Sequence, residues 1–179
     1  MNTPTTNIEQ KKIIRIYAAF GAGLALSFAP FLVAALISGA LVIGVLCIAY
    51  VLRTDTEQGS LTENHMTFII RTIWIGSFLA LITLTIASIY LFKVLNNTPL
   101  QPCLDQILSM ADPAAIESFA MNFMGTTCWA EYWQTNLAAF IVAFIITAAP
   151  VLLYFAVRYV RGVTRAMRGY RVANPKSWF

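Results

Sequence analysis

Polar residues gather in four places along the chain: at its start, around Arg53–Glu63, between Leu95 and Asn136, and beyond Val157. Three apolar tracts lie between them. Ile13–Leu52 holds no charge except Arg15, and neither Ile73–Phe92 nor Leu137–Val157 holds any. A helix rises about 1.5 Å per residue, so about 20 apolar residues cross the hydrocarbon core of a bilayer. The second and third tracts therefore predict one crossing each. The first is long enough for two short crossings joined at Ala29-Pro30-Phe31, where proline breaks the backbone ladder and favours a turn. The expectation is an all-α, polytopic transmembrane bundle forming a single membrane domain. Its four spans are residues 13–29, 31–52, 66–94 and 136–157, with an outer segment over 95–135 and a basic tail over 158–179. Helix 1 is the weak point, being barely long enough to cross; a half-span hairpin is the alternative.

Local signals refine the connections. Residues 1–10 are polar and expected to lack order unless a partner holds them. Ser60 and Glu63 form a capping-box pattern, which starts the next helix near Leu61 and leaves His65 and Arg71 in its interfacial turns. Asp112-Pro113 predicts an N-cap with proline at the first helical position. Ile116, Phe119, Ala120 and Phe123 follow at helical spacing. Trp129, Tyr132 and Trp133 stand where an interfacial aromatic belt belongs. Pro150 predicts a kink in the last span. The small pairs Ala18/Ala22, Gly21/Ala25, Ala35/Gly39 and Ala40/Gly44 allow close helix approach in lipid. Packing within the first hairpin is the plainer reading of them, and a homodimer face the competing one.

Composition agrees with lipid as the solvent. The chain of 179 residues is 59% hydrophobic and 11% charged, against about 25% charged for a soluble domain. Lys11, Lys12 and Arg15 precede an apolar run ending Ser27-Phe28-Ala29, which mimics a signal peptide, but Pro30 after the cut opposes cleavage. Lys and Arg near span ends stay cytoplasmic. With four spans and the N-terminus inside, the inner side holds Lys11, Lys12, Arg15, Arg53, Arg71, Arg158, Arg161, Arg165, Arg168, Arg171 and Lys176. Only Lys93 of the 12 basic residues is then outside. Three spans would strand the N-terminal cluster, so four are preferred, with both termini cytoplasmic in a bacterial inner membrane.

Cys103 and Cys128 share the outer segment, while Cys47 lies in helix 2. In an oxidising compartment the first two are expected to form a structural disulfide, worth on the order of 3 kcal/mol; two free thiols is the alternative. The single histidine and the absence of zinc-type cysteine spacing predict no metal site. No phosphate loop, nucleophile elbow or HExxH sequence occurs, and no Asp, Glu or His lies deep in a span. No enzyme, no cofactor and no nucleic-acid partner is expected. His65 is expected to be a hydrogen-bonded structural residue.

Arg158, Arg161, Arg165 and Arg168, spaced three, four and three, predict one cationic stripe beyond the last span. Attraction to anionic headgroups is its plainer reading, at about 1 kcal/mol per charge. Docking of an acidic partner is the sharper one. Trp178 is expected to fold back against the third helix near Arg71, with His65, Arg71 and Trp74 as an interfacial motif.

Two stretches are similar to a known family. Arg53-x-Asp55-x-x-x-Gly59-Ser60-Leu61-x-x-x-His65 with Ile70-Arg71-Thr72-x-Trp74 resembles a pattern of the bacterial domain-of-unknown-function 4870 family. The tail, Arg158-x-x-Arg161-Gly162 then Gly169-Tyr170-x-x-x-Asn174-Pro175-x-x-Trp178, resembles that family's ending. These are small membrane proteins similar in shape to the chloroplast translocon component Tic-twenty, and they include magnetosome proteins of the MamF and MmsF type. The resemblance covers residues 40–95 and 137–179 and implies an assembly, scaffold or translocation-accessory role without catalytic residues. The outer cysteine-bearing segment departs from it. The expected function is thus a non-enzymatic membrane accessory or assembly subunit that binds other membrane proteins, or copies of itself. The alternative is a small oligomeric transporter or channel, for which Thr83, Thr85, Ser88, Ser27, Ser38 and Thr147 would be a thin polar lining.

Overall fold

Helix α1 spans Asn7–Leu26 and places Ile13, Ile16, Tyr17 and Phe20 on one buried face, at the spacing of a single helical stripe. The structure, a computed structural model, describes residues 7–27, 29 and 31–177. Five more helices follow: α2 (Leu32–Asp55), α3 (Leu61–Val94), α4 (Gln101–Ser109), α5 (Pro113–Asn122) and α6 (Thr127–Met167). Short 3₁₀ turns lie at Thr98–Leu100 and Phe123–Gly125. The fold is an all-α bundle, and no strand occurs among the described residues.

Three helices, α2, α3 and α6, are long and apolar enough to cross a membrane. Helix α1 is not among them. It has 20 residues, but Glu9, Lys11, Lys12 and Arg15 occupy its first half, leaving an uncharged run over residues 16–26 of only about 16 Å. The four-span expectation thus reduces to three helices that meet the requirement alone, plus one packed through its apolar stripe. The other two long helices overrun a bilayer core of about 30 Å: 34 residues in α3 rise about 51 Å, and 41 in α6 about 62 Å. Helix α6 therefore begins nine residues before the expected span start at 136 and continues ten past its end at 157. It runs unbroken through Pro150.

The chain divides into two compact units, residues 1–80 with 151–179, and residues 81–150. In the first, the stripe of α1 packs with Val45, Ala49 and Leu52 of α2, Leu61, Met66, Ile69, Ile70 and Ile73 of α3, and Ala166 of α6. The α1–α2 pair closes at Gly23, whose added Cβ would meet Val42 and Leu41, and whose carbonyl accepts from Ser38 Oγ at 2.8 Å. Gly23, not the expected small-residue pairs of α2, makes that close approach. An added Cβ at Gly39 or Gly44 would meet nothing within 4 Å.

In the second unit, Cys103 of α4 is disulfide-bonded to Cys128 of α6. Asp112 caps α5 by accepting from Ala114 N–H at 3.0 Å, with Pro113 at the first position. Asn136 accepts from the Asn96 backbone N–H at 2.8 Å and donates to its carbonyl at 3.0 Å, fixing the chain where α3 ends. Trp129 packs on Tyr132 and Trp133, and Trp133 stacks on Phe140 at 4.7 Å between ring centroids.

Candidate functional site: a polar knot at the helix ends

In the first unit, most of the polar side chains that α1, α3 and α6 bury meet at three helix termini. A helix leaves its first N–H groups and last carbonyls without intrahelical partners. At the start of α3, Ser60 Oγ accepts from Glu63 N–H at 3.0 Å, the expected half of the capping box. Glu63 does not complete it; its carboxylate accepts from Thr67 instead. The Ser60 N–H goes instead to Glu57 O, and a further donor of the first turn is met from far away in sequence. Glu9 Oε1 takes both the Thr62 N–H at 3.0 Å and the Thr62 hydroxyl at 2.8 Å. At the end of α6, Gln10 donates to the carbonyls of Ala166 (3.2 Å) and Met167 (2.7 Å). Residues 9 and 10, expected to be unordered, thus cap two other helices.

The chain leaves α6 through a Schellman turn. Tyr170 N–H donates to Arg165 O at 2.9 Å and Gly169 N–H to Ala166 O at 3.0 Å. Gly169 sits at φ 69°, a left-handed conformation that glycine adopts without a Cβ penalty. The segment after it returns to α3. Asn64 accepts from Val172 N–H at 2.8 Å and donates to Val172 O at 3.1 Å, a two-point clamp on a residue that is itself buried. His65, fully buried, donates from Nε2 to Tyr170 O at 3.1 Å and accepts at Nδ1 from the Tyr17 hydroxyl at 3.1 Å. A carbonyl can only accept, so the proton belongs on Nε2, and the neutral tautomer satisfies both contacts. Tyr17 closes against Gly162, where an added Cβ would strike its ring.

Arg158 departs from the expected stripe. It is 1% exposed, and its guanidinium lies 4.0 Å over the Phe68 ring centroid. Its Nε donates to Thr72 Oγ1 at 3.1 Å and its Nη1 to Ser177 O at 2.9 Å. Arg158, Arg161 and Arg165 lie along one side of α6, with Arg168 just past its end, but at Arg158 that side is turned onto α3 and covered by the tail. Arg161 and Arg165 are partly buried, and Arg165 donates to Arg171 O at 3.0 Å. Arg168 and Arg171 are exposed.

The three residues of the interfacial motif stand on different sides of α3, as six residues between His65 and Arg71, about 240° of rotation, require. His65 is buried in the knot and Arg71 is partly buried. Trp74 is 58% exposed and donates to Tyr50 at 2.9 Å on another side of α3. Trp178 lies outside the described residues. The two stretches that carry the family resemblance do meet, through Asn64–Val172, His65–Tyr170 and Thr72–Arg158. Glu9, Gln10, Tyr17 and Asn64 were missed because their partners lie 48 to 157 residues away. Only the unusual Asn64 beside His65 at a helix start carried a signal. Among the described residues, no group of three or more His, Cys, Asp or Glu could hold a metal ion.

Both ring nitrogens of the knot's histidine are hydrogen-bonded, one to Tyr17 and one to the chain after α6. No protein-family model matches the chain, and no curated protein or solved structure does either.

Proposed function

We propose that this chain is a non-enzymatic accessory or assembly subunit of a bacterial inner membrane, acting by binding other membrane proteins through the outer face of α2. One observation carries the reading. The small residues Ala35, Gly39 and Ala40 of α2 are not consumed by packing against α1; they lie exposed among Leu32, Val33, Leu36 and Ile43. In lipid, helix association depends on close backbone approach, and a surface of small residues between large apolar ones provides it. The knot supports the same reading, since it uses the buried polar groups to fix helix ends.

In this proposal both termini are cytoplasmic, with α1 as a short first crossing. The starts of α1 and α3 and the end of α6 are joined by Glu9, Gln10 and Thr62, as equal sidedness requires. Arg161, Arg165, Arg168 and Arg171 would then face anionic headgroups, at about 1 kcal/mol per charge. The test is a double substitution, Gly39→Leu with Ala35→Leu. Purification of the parent in mild detergent, with crosslinking through a cysteine at position 36, should capture a membrane protein or a second copy. The double variant should insert normally and lose that capture. Equal capture by both proteins would refute the α2 face.

A further inference from the structure

We propose that Arg71, Arg158 and Tyr154 form a discrete internal site for one phosphate-bearing anion, the headgroup of an anionic phospholipid. This deepens the lipid contact of the proposed subunit, but it stands apart from both the α2 face and the exposed arginines. Three polar atoms in the first unit are buried without a protein partner: Arg158 Nη2, Arg71 Nε and the Tyr154 hydroxyl. Arg158 is 1% exposed and Tyr154 8%. The three groups are neighbours. The Arg158 guanidinium stands 5.9 Å from the Tyr154 ring and 4.0 Å over the ring of Phe68, and Phe68 lies one helical turn before Arg71 on the same side of α3.

A buried charge needs an opposite charge or it is strongly unfavourable, and here two like charges lie close together. The acidic side chains of this unit are placed elsewhere. Glu9 is bonded to Thr62, Glu63 to Thr67, and Asp55 and Glu57 are exposed. None of them is a partner of Arg158, whose bonds go to a hydroxyl and a carbonyl. The compensating anion must therefore come from outside these side chains, and its acceptor oxygens suit three unpartnered donors.

Depth identifies its source. Arg71 stands two residues before the uncharged tract Ile73–Phe92, and Arg158 is the first residue after the uncharged tract Leu137–Val157. Both guanidinia thus flank the hydrocarbon-length tracts at one end, the level at which lipid phosphates lie.

Delipidated full-length protein in detergent is titrated separately with phosphatidylglycerol, phosphatidylcholine and inorganic phosphate, and bound molecules are counted by native mass spectrometry. One phosphatidylglycerol should bind at least about tenfold more tightly than phosphatidylcholine, and inorganic phosphate should not displace it. Arg71→Gln should weaken that single binding event about tenfold, the loss of one charge-assisted hydrogen bond, and Tyr154→Phe a few-fold. Lys93→Gln, in the exposed last turn of α3, should leave it unchanged. Arg158→Gln should abolish it; the two milder variants keep the test decisive if that chain does not fold. Phosphatidylglycerol binding untouched by Arg71→Gln and Tyr154→Phe would overturn the site. Binding of inorganic phosphate without lipid preference would overturn the lipid as its occupant. Lost partner capture with retained lipid binding in the α2 variant is the expected result, because the site stands apart from that face.

Discussion

Breaking the Cys103–Cys128 bridge should loosen one segment of the protein and leave the rest intact. The bridge joins residues 25 apart. A cross-link closing a loop of that size restricts the open chain by roughly 3.5 kcal/mol on the loop-closure relation. Little else holds the segment. Helix α4 buries only Cys103, and α5 buries no residue at all. Helices of 9 and 10 residues are marginal in isolation. At 1.4 kcal/mol per tenfold, the restriction corresponds to about two and a half orders of magnitude in local opening. The perturbation is Cys103→Ser with Cys128→Ser, or reduction of the parent protein. The assay is hydrogen–deuterium exchange by mass spectrometry in detergent or nanodiscs. Amides of α4 and α5 should exchange about three hundredfold faster, and those of α1 and the start of α3 at their original rates. A change below about threefold in α4 and α5 would refute the reasoning, as would equal loosening of the α1 amides.

Glu9→Ala should destabilise the protein by about 2 kcal/mol, because it strands the buried Thr62 N–H and hydroxyl. Thermal unfolding in detergent measures this, and Glu9→Gln should recover part of it. Gly76→Ala should cost about 1–3 kcal/mol in the same assay, since the new methyl would strike the Phe155 ring. Gly39→Ala, in open space, should cost almost nothing; equal losses at both glycines would contradict the packing described. Reporter fusions at Asn97 and after Phe179 should give opposite sidedness, and a shared side would defeat the proposed topology.

The amino-acid sequence was sufficient for whatever depends on neighbours within a turn or two of helix. Uncharged tracts of bilayer length mark α2, α3 and α6, because no soluble surface can be built from them. Ser60 and Asp112 cap the helices that follow them, since a cap needs only the next three residues. The pairing of Cys103 and Cys128 was legible because two cysteines share one segment. Helix α1 was half-legible: its stripe is plain in the sequence, but its charges shorten the apolar run, and only packing shows it held against the other helices. Glu9 and Gln10 were illegible as caps, for their acceptor and donor roles exist only once α1 lies beside the ends of α3 and α6. Arg158 shows the limit most clearly. Spacing of three, four and three predicts that four arginines share one side of a helix, and nothing more. Which part of that side turns inward depends on the rotation of α6 about its axis, set by the fit of Tyr17 against Gly162 and Phe155 beside Gly76. That fit exists only in three dimensions, and it places one arginine of the four inside the bundle.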